Sequence, residues 1–125
     1  MGIMMIFESS PEIDLRMLRD ILAKCGAVPF DDETFNFKNS NMYCVIANPS
    51  KLVEVDFLGL DYSPWIVKSR LIFHYARFNF AECSAQLHNF IGKVGLLEGE
   101  FFLSFQNEMP CAVKSEHEIL IWDRF

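Results

Sequence analysis

Two amphipathic helix patterns, set among short apolar runs, constrain the fold of this chain more than any other feature. The first follows the residues at 9–12 and ends near Cys25, before Gly26, and the second follows Asn79 and ends before Gly95. Apolar residues at helical spacing predict helices that bury one face, and a glycine after the last turn is a common C-terminal stop. The expected buried faces are Leu15, Leu18, Ile21, Leu22 and Cys25 in the first helix, and Phe80, Cys83, Leu87, Phe90, Ile91 and Val94 in the second.

Both helices are preceded by residues typical of capping boxes, in which a polar cap is followed three residues later by Glu or Gln. Ser9 precedes Glu12 in this spacing, with Pro11 suited to a first turn, and Asn79 precedes Glu82 in the same way. The sequence therefore predicts helix starts at Ser9 and at Asn79.

The apolar runs between and around the helices read as strands, because they are short, rich in β-branched and aromatic residues, and bounded by turn formers. They lie at 2–7, 34–38, 42–47, 52–58, 69–78, 100–106, 110–114 and 117–122. We predict one α+β domain over residues 1–125, with a mostly antiparallel, curved or barrel-like sheet and two helices packed on it.

The predicted element order is βαβββ followed by βαβββ, which indicates a duplication with pseudo-repeats at 1–60 and 65–125. Residues 18–26 align with residues 87–95 and match at a leucine, a lysine and a glycine. The alternative stays open, because any two amphipathic helices that end before a strand resemble each other to this degree.

Charge and cysteine content limit the partners and the compartment. Seventeen acidic against eleven basic side chains give a formal charge of −6, which repels phosphate backbones and anionic lipids and favours a cationic partner. Four scattered cysteines without a C-x-x-C pair predict reduced, mostly buried thiols. The N-terminal residues lack a signal or membrane-spanning pattern, so we expect a cytoplasmic protein that contacts neither nucleic acid nor membrane.

His74 lies inside the apolar run at 69–78. Strand alternation places it on a face with Ile72 and Ala76, and Tyr75 on the opposite face. Because both faces carry large apolar groups, we predict a central strand covered on both sides. A buried histidine there is expected to hydrogen-bond a structural partner, and the alternative is that its ring binds a metal.

The repeated βαβββ order resembles the vicinal oxygen chelate family, which includes metal-dependent glyoxalases and metal-free antibiotic-binding proteins such as the bleomycin-resistance type. Ligands in that family come from the first and fourth strands of each repeat. The resemblance implies a metal-dependent enzyme or small-molecule binder with Glu54, His74 and Glu118 as metal ligands. The chain departs from the family pattern at residues 2–7, which contain neither histidine nor glutamine, and it lacks a loop of the Asp-Pro-x-Gly type.

A second candidate site is acidic. Residues 31–61 hold six acids against two lysines, and side-by-side strands there would form an acidic face able to capture a basic protein. The predicted contributors are Asp31, Asp32, Glu33, Glu54 and Asp56. Solvated loops are the alternative explanation of these acids.

No phosphate-binding loop, nucleophile elbow or H-E-x-x-H motif occurs in the chain. In its size, its acidity and this lack of a catalytic motif, the chain resembles the immunity proteins of bacterial toxin–immunity pairs. The resemblance implies a cytoplasmic protein, neither catalytic nor dependent on a cofactor, that binds and neutralises a cationic toxin domain. The sequence leaves open whether the protein is a monomer or a homodimer.

Overall fold

Eight strands and two helices make up the fold of the computed structural model, which describes residues 2–116 and 118–125. The helices are α1 (Leu15–Lys24) and α2 (Phe80–Val94). The strands are β1 (Ile3–Ser9), β2 (Ala27–Pro29), β3 (Thr34–Phe37), β4 (Tyr43–Ile46), β5 (Ser69–Tyr75), β6 (Phe101–Phe105), β7 (Met109–Lys114) and β8 (Ile119–Ile121).

All eight strands belong to one sheet in the order β2-β3-β4-β5-β1-β6-β7-β8, and every neighbouring pair is antiparallel. The sheet is curved but does not close into a barrel, because β2 and β8 form its two edges. The predicted α+β class with a mostly antiparallel sheet is confirmed. Among the described residues, no helix is long and apolar enough to cross a membrane.

Both helices pack on one face of the sheet and form the main core with it. Alternation along β5 turns Leu71, Phe73 and Tyr75 toward this core. The Phe7 ring meets the Phe90 ring edge-on at 5.2 Å between centroids, and Phe73 lies 5.1 Å from Phe90. The many phenylalanines therefore join the central strands to α2, because aromatic pairs contribute attraction beyond their buried area.

The opposite face carries a second, smaller core, which is covered by residues 53–67, hereafter the back-face arm. Val55 and Phe57 of the arm pack on Phe102 and Val113 of the sheet. The predicted strand at 52–58 was wrong, because this segment pairs only with its own return through one bridge, Glu54 to Ile66. The apolar and polar residues alternate because one side of this segment is buried against the sheet, and such burial does not require the segment to be a strand of that sheet.

The predicted helix caps were also wrong. Ser9 is the last residue of β1, and α1 begins after Asp14, whose carboxylate accepts the amide of Met17 at 2.9 Å. Asn79 does precede α2, but its side chain donates to the carbonyl of Ser40 and leaves the helix end uncapped. Phe80 lies on the same face of α2 as Cys83 and Leu87, and its ring meets that of Tyr75 at 5.4 Å between centroids. It is nevertheless half exposed, because it stands in the first turn, at the end of the helix. The predicted C-terminal stops at Gly26 and Gly95 are confirmed.

The βαβββ order occurs twice along the chain, although β2 takes the place of the predicted strand at 52–58. Strand pairing differs between the halves. The first strand of the second half, β5, lies beside β4, the last strand of the first half, whereas β1, the first strand of the first half, lies beside β6, the second strand of the second half. The duplication itself stays a prediction. The strand β2 escaped detection because it has three residues and ends in Pro29, a residue that sheets accept at an edge.

The four cysteines are free thiols, three of them buried, as the sequence predicted. Burial raises the pKa of Cys111 to about 11, with smaller opposing effects from Arg124 and a backbone hydrogen bond. Burial also raises the pKa of Cys44 and of Cys25. These three thiols are protonated at neutral pH and are therefore poor nucleophiles.

Candidate functional site

The acidic residues predicted as one face fall into two groups. Asp31, Asp32 and Glu33 lie exposed in the loop between β2 and β3, where the Asp31 carboxylate accepts the Glu33 amide at 2.9 Å. Glu54 and Asp56 lie exposed on the back-face arm.

The two groups lie over different parts of the sheet. The loop residues adjoin the β2 edge, whereas the arm packs on Phe102 of β6, four strands beyond β3 in the sheet order. At about 4.8 Å between neighbouring strands, this separation is of the order of 20 Å. The five predicted side chains are therefore not gathered on one surface, and their role in partner binding stays a prediction.

His74 lies on the middle strand β5, as predicted, but the sheet face that it occupies is only partly covered. Its ring stacks on that of Tyr43 in the neighbouring strand, with centroids 4.4 Å apart and planes 10° from parallel. No group among the described residues forms a hydrogen bond with the ring. The prediction that a structural partner would hydrogen-bond to His74 was therefore wrong. The prediction failed because only one face of β5, that of Phe73, lies under the helices.

Partial burial lowers the pKa of His74 below its ordinary value of 6.5. The folded protein then holds this proton less tightly than the unfolded chain, so the contribution of His74 to stability falls as the pH drops through 6.5. In an NMR titration of the full chain we expect the His74 ring to titrate below 6.5. Tyr43→Ala, which exposes the ring, should move the midpoint back toward 6.5, and a midpoint above 6.5 in the unchanged protein would contradict the desolvation argument.

The metal ligands implied by the vicinal oxygen chelate resemblance are dispersed. Glu54 lies on the back-face arm, His74 stacks on Tyr43, and Glu118 accepts the hydroxyl of Tyr62 at 2.8 Å. Within residues 2–116 and 118–125, no three His, Cys, Asp or Glu side chains are placed to hold a metal ion. His117 lies outside the described residues.

A different group of acids does come together, at the end of the sheet where β1 finishes and β6 starts. Ser9 of β1, Phe101 of β6, Lys114 of β7 and Ile119 of β8 lie in one cross-strand row. The connections that leave this row, with the tip of the back-face arm, line three adjoining hollows. We call this surface the acidic hollow; its carboxylates are Glu12, Asp61, Glu98, Glu100, Glu116 and Glu118.

Backbone contacts hold the walls of the acidic hollow in place. The Ser10 amide donates to the Glu100 carbonyl at 2.9 Å, and the Glu100 amide donates to the Ser10 hydroxyl at 2.9 Å. Gly99 lies beside this joint at φ +111°, where a Cβ atom would stand 2.9 Å from Ile13 Cγ1 and from Glu12 Cβ. The two acidic connections can approach this closely only because residue 99 has no side chain.

On the other side, the Tyr62 hydroxyl donates to the Glu118 carboxylate and joins the arm to the start of β8. Partial burial, together with the hydrogen bond to Glu118 and its charge, raises the pKa of Tyr62. The phenol therefore stays protonated at neutral pH and keeps its role as donor. Lys114 also lines the acidic hollow, and its ammonium donates to the carbonyl of Leu97.

The acidic hollow adjoins exposed apolar surface. Trp65 and Tyr62 of the arm line two of its parts, and β8 starts directly after Glu118. All three side chains of β8 are exposed, Ile119 by 47%, Leu120 by 39% and Ile121 by 51%. Carboxylates around an aromatic and aliphatic centre can attract a cationic protein and hold it by desolvated contacts.

Sequence reasoning missed the acidic hollow because its six carboxylates come from four separate connections. Each connection alone reads as a solvated turn. The usable signal was that acids stand next to strand ends, as Glu100 precedes β6 and Glu118 precedes β8. Converting that signal into a site requires the sheet order, which brings these strand ends into one row.

Comparison with protein-family models, with curated proteins and with solved structures finds no match to this chain.

Proposed function

We propose that this protein is a non-catalytic binding protein of the immunity type, which docks on a cationic toxin domain and neutralises it. The observation that supports the proposal best is the acidic hollow, where six carboxylates from four connections adjoin the exposed apolar strand β8. This arrangement concentrates the negative charge of a chain whose formal charge is −6.

Electrostatics supplies the capture step. A concave surface lined by one sign of charge focuses the field and speeds association with an oppositely charged partner, by roughly 10- to 1000-fold at low salt. A toxin that acts on nucleic acid needs a cationic cleft, and the acidic hollow would present carboxylates where that cleft expects phosphates. Occupation of the cleft would block the toxin without any chemical step.

Apolar contacts supply the retention step. Rim charges mainly set the association rate, whereas aromatic and aliphatic side chains at the centre of an interface slow dissociation. Trp65, Tyr62 and the three residues of β8 offer such contacts beside the carboxylates.

The test expresses the full chain together with any toxic domain that is encoded beside its gene, and measures growth and binding. We expect the chain to restore growth, and the triple change Asp61→Lys, Glu98→Lys and Glu118→Lys to weaken binding about 100-fold or more and to reduce its salt dependence. These three side chains are exposed, so the fold should persist, which circular dichroism checks.

The matched control reverses the acids that the sequence favoured, Asp31→Lys, Asp32→Lys and Glu33→Lys. The net charge changes equally, so a general charge effect would weaken both variants to the same extent. Full binding by the first variant and loss by the second would move the binding surface to the loop between β2 and β3. Failure to protect against any neighbouring toxic domain would contradict the immunity-type function.

Nothing in the described residues favours the metal-dependent alternative over this proposal. Glu54 lies on the back-face arm, His74 stacks on Tyr43 and Glu118 bonds to Tyr62, so the three side chains do not form one metal site.

A further inference from the structure

We propose that the open edge of β8 receives an extended strand of the cationic partner, which adds a ninth strand to the sheet beside the acidic hollow. The inference rests on the proposed function and specifies how that partner docks.

The hydrogen-bond pattern shows which backbone groups of β8 face outward. Ser115 donates to the Glu118 carbonyl at 2.9 Å, and Trp122 donates to the Cys111 carbonyl at 2.8 Å. Hydrogen-bonded pairs alternate with non-bonded pairs in an antiparallel ladder, so the next bonded pair in this register is Val113 with Leu120. The N–H and C=O groups of Ile119 and Ile121 therefore point away from β7, toward the open edge.

The opposite edge of the sheet is blunted and β8 is not. By the same alternation, with Phe30 donating to Thr34 at 2.8 Å, the outward residues of β2 are Ala27 and Pro29. Pro29 has no N–H, so that edge cannot offer a regular ladder. Both edge strands are short, at three residues each, so length does not distinguish them. The strand β8 differs from β2 in that it contains no proline, and it also has no charge or bulge, while its side chains are apolar and exposed.

The charge around β8 selects a cationic occupant. Glu118 precedes the strand and Asp123 follows it after Trp122, while Asp61 lies with Glu118 in the acidic hollow. Two cations lie beside β8. Lys114 pairs with Ile119 across the ladder, and its ammonium donates to the Leu97 carbonyl. The guanidinium of Arg124 lies over the ring of Trp122, 5.9 Å from the centroid. A second copy would bring two acidic hollows of like charge together, whereas a basic strand would pair its backbone with β8 and its side chains with the carboxylates.

The first test measures amide hydrogen exchange of the full chain with and without a synthetic heptapeptide of alternating lysine and valine. We expect bound peptide to slow exchange at Ile119 and Ile121 by at least about tenfold and to leave Leu120 unchanged, since its amide already bonds to β7. A glutamate–valine twin should bind at least about tenfold more weakly. Unchanged exchange at Ile119 and Ile121 with peptide bound would overturn the inference.

The second test removes one outward donor. Ile121→Pro deletes an N–H that makes no bond within the sheet and should weaken peptide binding at least about tenfold, whereas Ile121→Ala keeps the donor and serves as the control. If the proline variant fails to fold, a peptide methylated on alternate amide nitrogens asks the same question of the unchanged protein. Equal binding by the methylated and unmethylated peptides contradicts strand addition.

The outcomes separate this inference from the proposed function. Loss of toxin binding on reversal of Asp61, Glu98 and Glu118, with full binding by Ile121→Pro, would leave the function standing and overturn strand addition. Unchanged toxin binding in both variants would overturn strand addition and would remove the acidic hollow from the interface, whereas the immunity-type function is contradicted only if the unchanged chain fails to protect against the toxin. A concentration-dependent dimer of the chain that Ile121→Pro converts to monomer would assign the edge to a second copy and overturn the cationic occupant.

Discussion

Phe7→Ala is expected to lower the free energy of unfolding by about 4 kcal/mol, a large part of the stability of a domain of this size. Phe7 is fully buried on β1, next to the middle of the sheet, and its ring meets Phe90 at 5.2 Å and Phe101 at 5.4 Å between centroids. Its removal leaves a cavity between the sheet and α2 that rigid backbone on both sides cannot close. Urea unfolding followed by circular dichroism measures the loss.

Phe78→Ala is the matched control for this experiment. The same side chain is deleted, but Phe78 is 89% exposed in the turn before α2, so the free energy of unfolding should change by less than about 0.5 kcal/mol. A cost below about 1.5 kcal/mol for Phe7→Ala would mean that the aromatic cluster around Phe90 does not form the central core described above.

Gly99→Ala is expected to cost about 3 kcal/mol and to weaken partner binding as well. Two effects add: an L-residue is strained at φ +111°, and the new methyl group would stand 2.9 Å from Ile13 Cγ1 and from Glu12 Cβ. Ile13 is fully buried and cannot move aside easily. Relief of the clash must separate the two connections that carry Glu12 and Glu100, so the acidic hollow should change shape.

Gly59→Ala separates the strain from the clash. Gly59 has a similar backbone at φ +91°, but nothing lies within 4 Å of its would-be Cβ. We expect about 1 to 2 kcal/mol from strain alone, measured by urea unfolding, and no effect on partner binding. Equal costs for the two variants would indicate that the close approach at Gly99 contributes nothing.

Local patterns predicted much of the fold. Helical spacing located the buried faces of α1 and α2, and Gly26 and Gly95 ended them as expected. Seven of the eight strands coincide with apolar runs that the sequence marks. These predictions succeeded because they depend on residues within one or two turns of one another, where periodicity reports burial directly.

The failures share a physical cause. Ser9 read as a helix cap, but it pairs with Ser69 and Phe101 as the last residue of β1. The run at 52–58 alternates because Val55 and Phe57 cover Phe102, and it joins no neighbouring strand. In both cases the local pattern was real, but contacts with residues far away in the sequence determined the structure that the segment adopts.

The candidate site was less predictable than the fold. The acidity of the chain follows from the sequence and predicts a cationic partner. The face assembled from Asp31 to Asp56 rested on closeness along the chain, and the sheet order separates its two groups.

The sequence by itself determined the class of the fold, the buried stripes of the helices and the sign of the charge, because composition and periodicity carry that information. Only the tertiary structure decided where the charge collects and which edge stays open. Strand order brings Glu12, Asp61, Glu100 and Glu118 to one end of the sheet and leaves β8 without a further neighbour. The physical reason is that antiparallel pairing aligns strand ends from distant parts of the chain, and no local property of those residues encodes which strands will be neighbours.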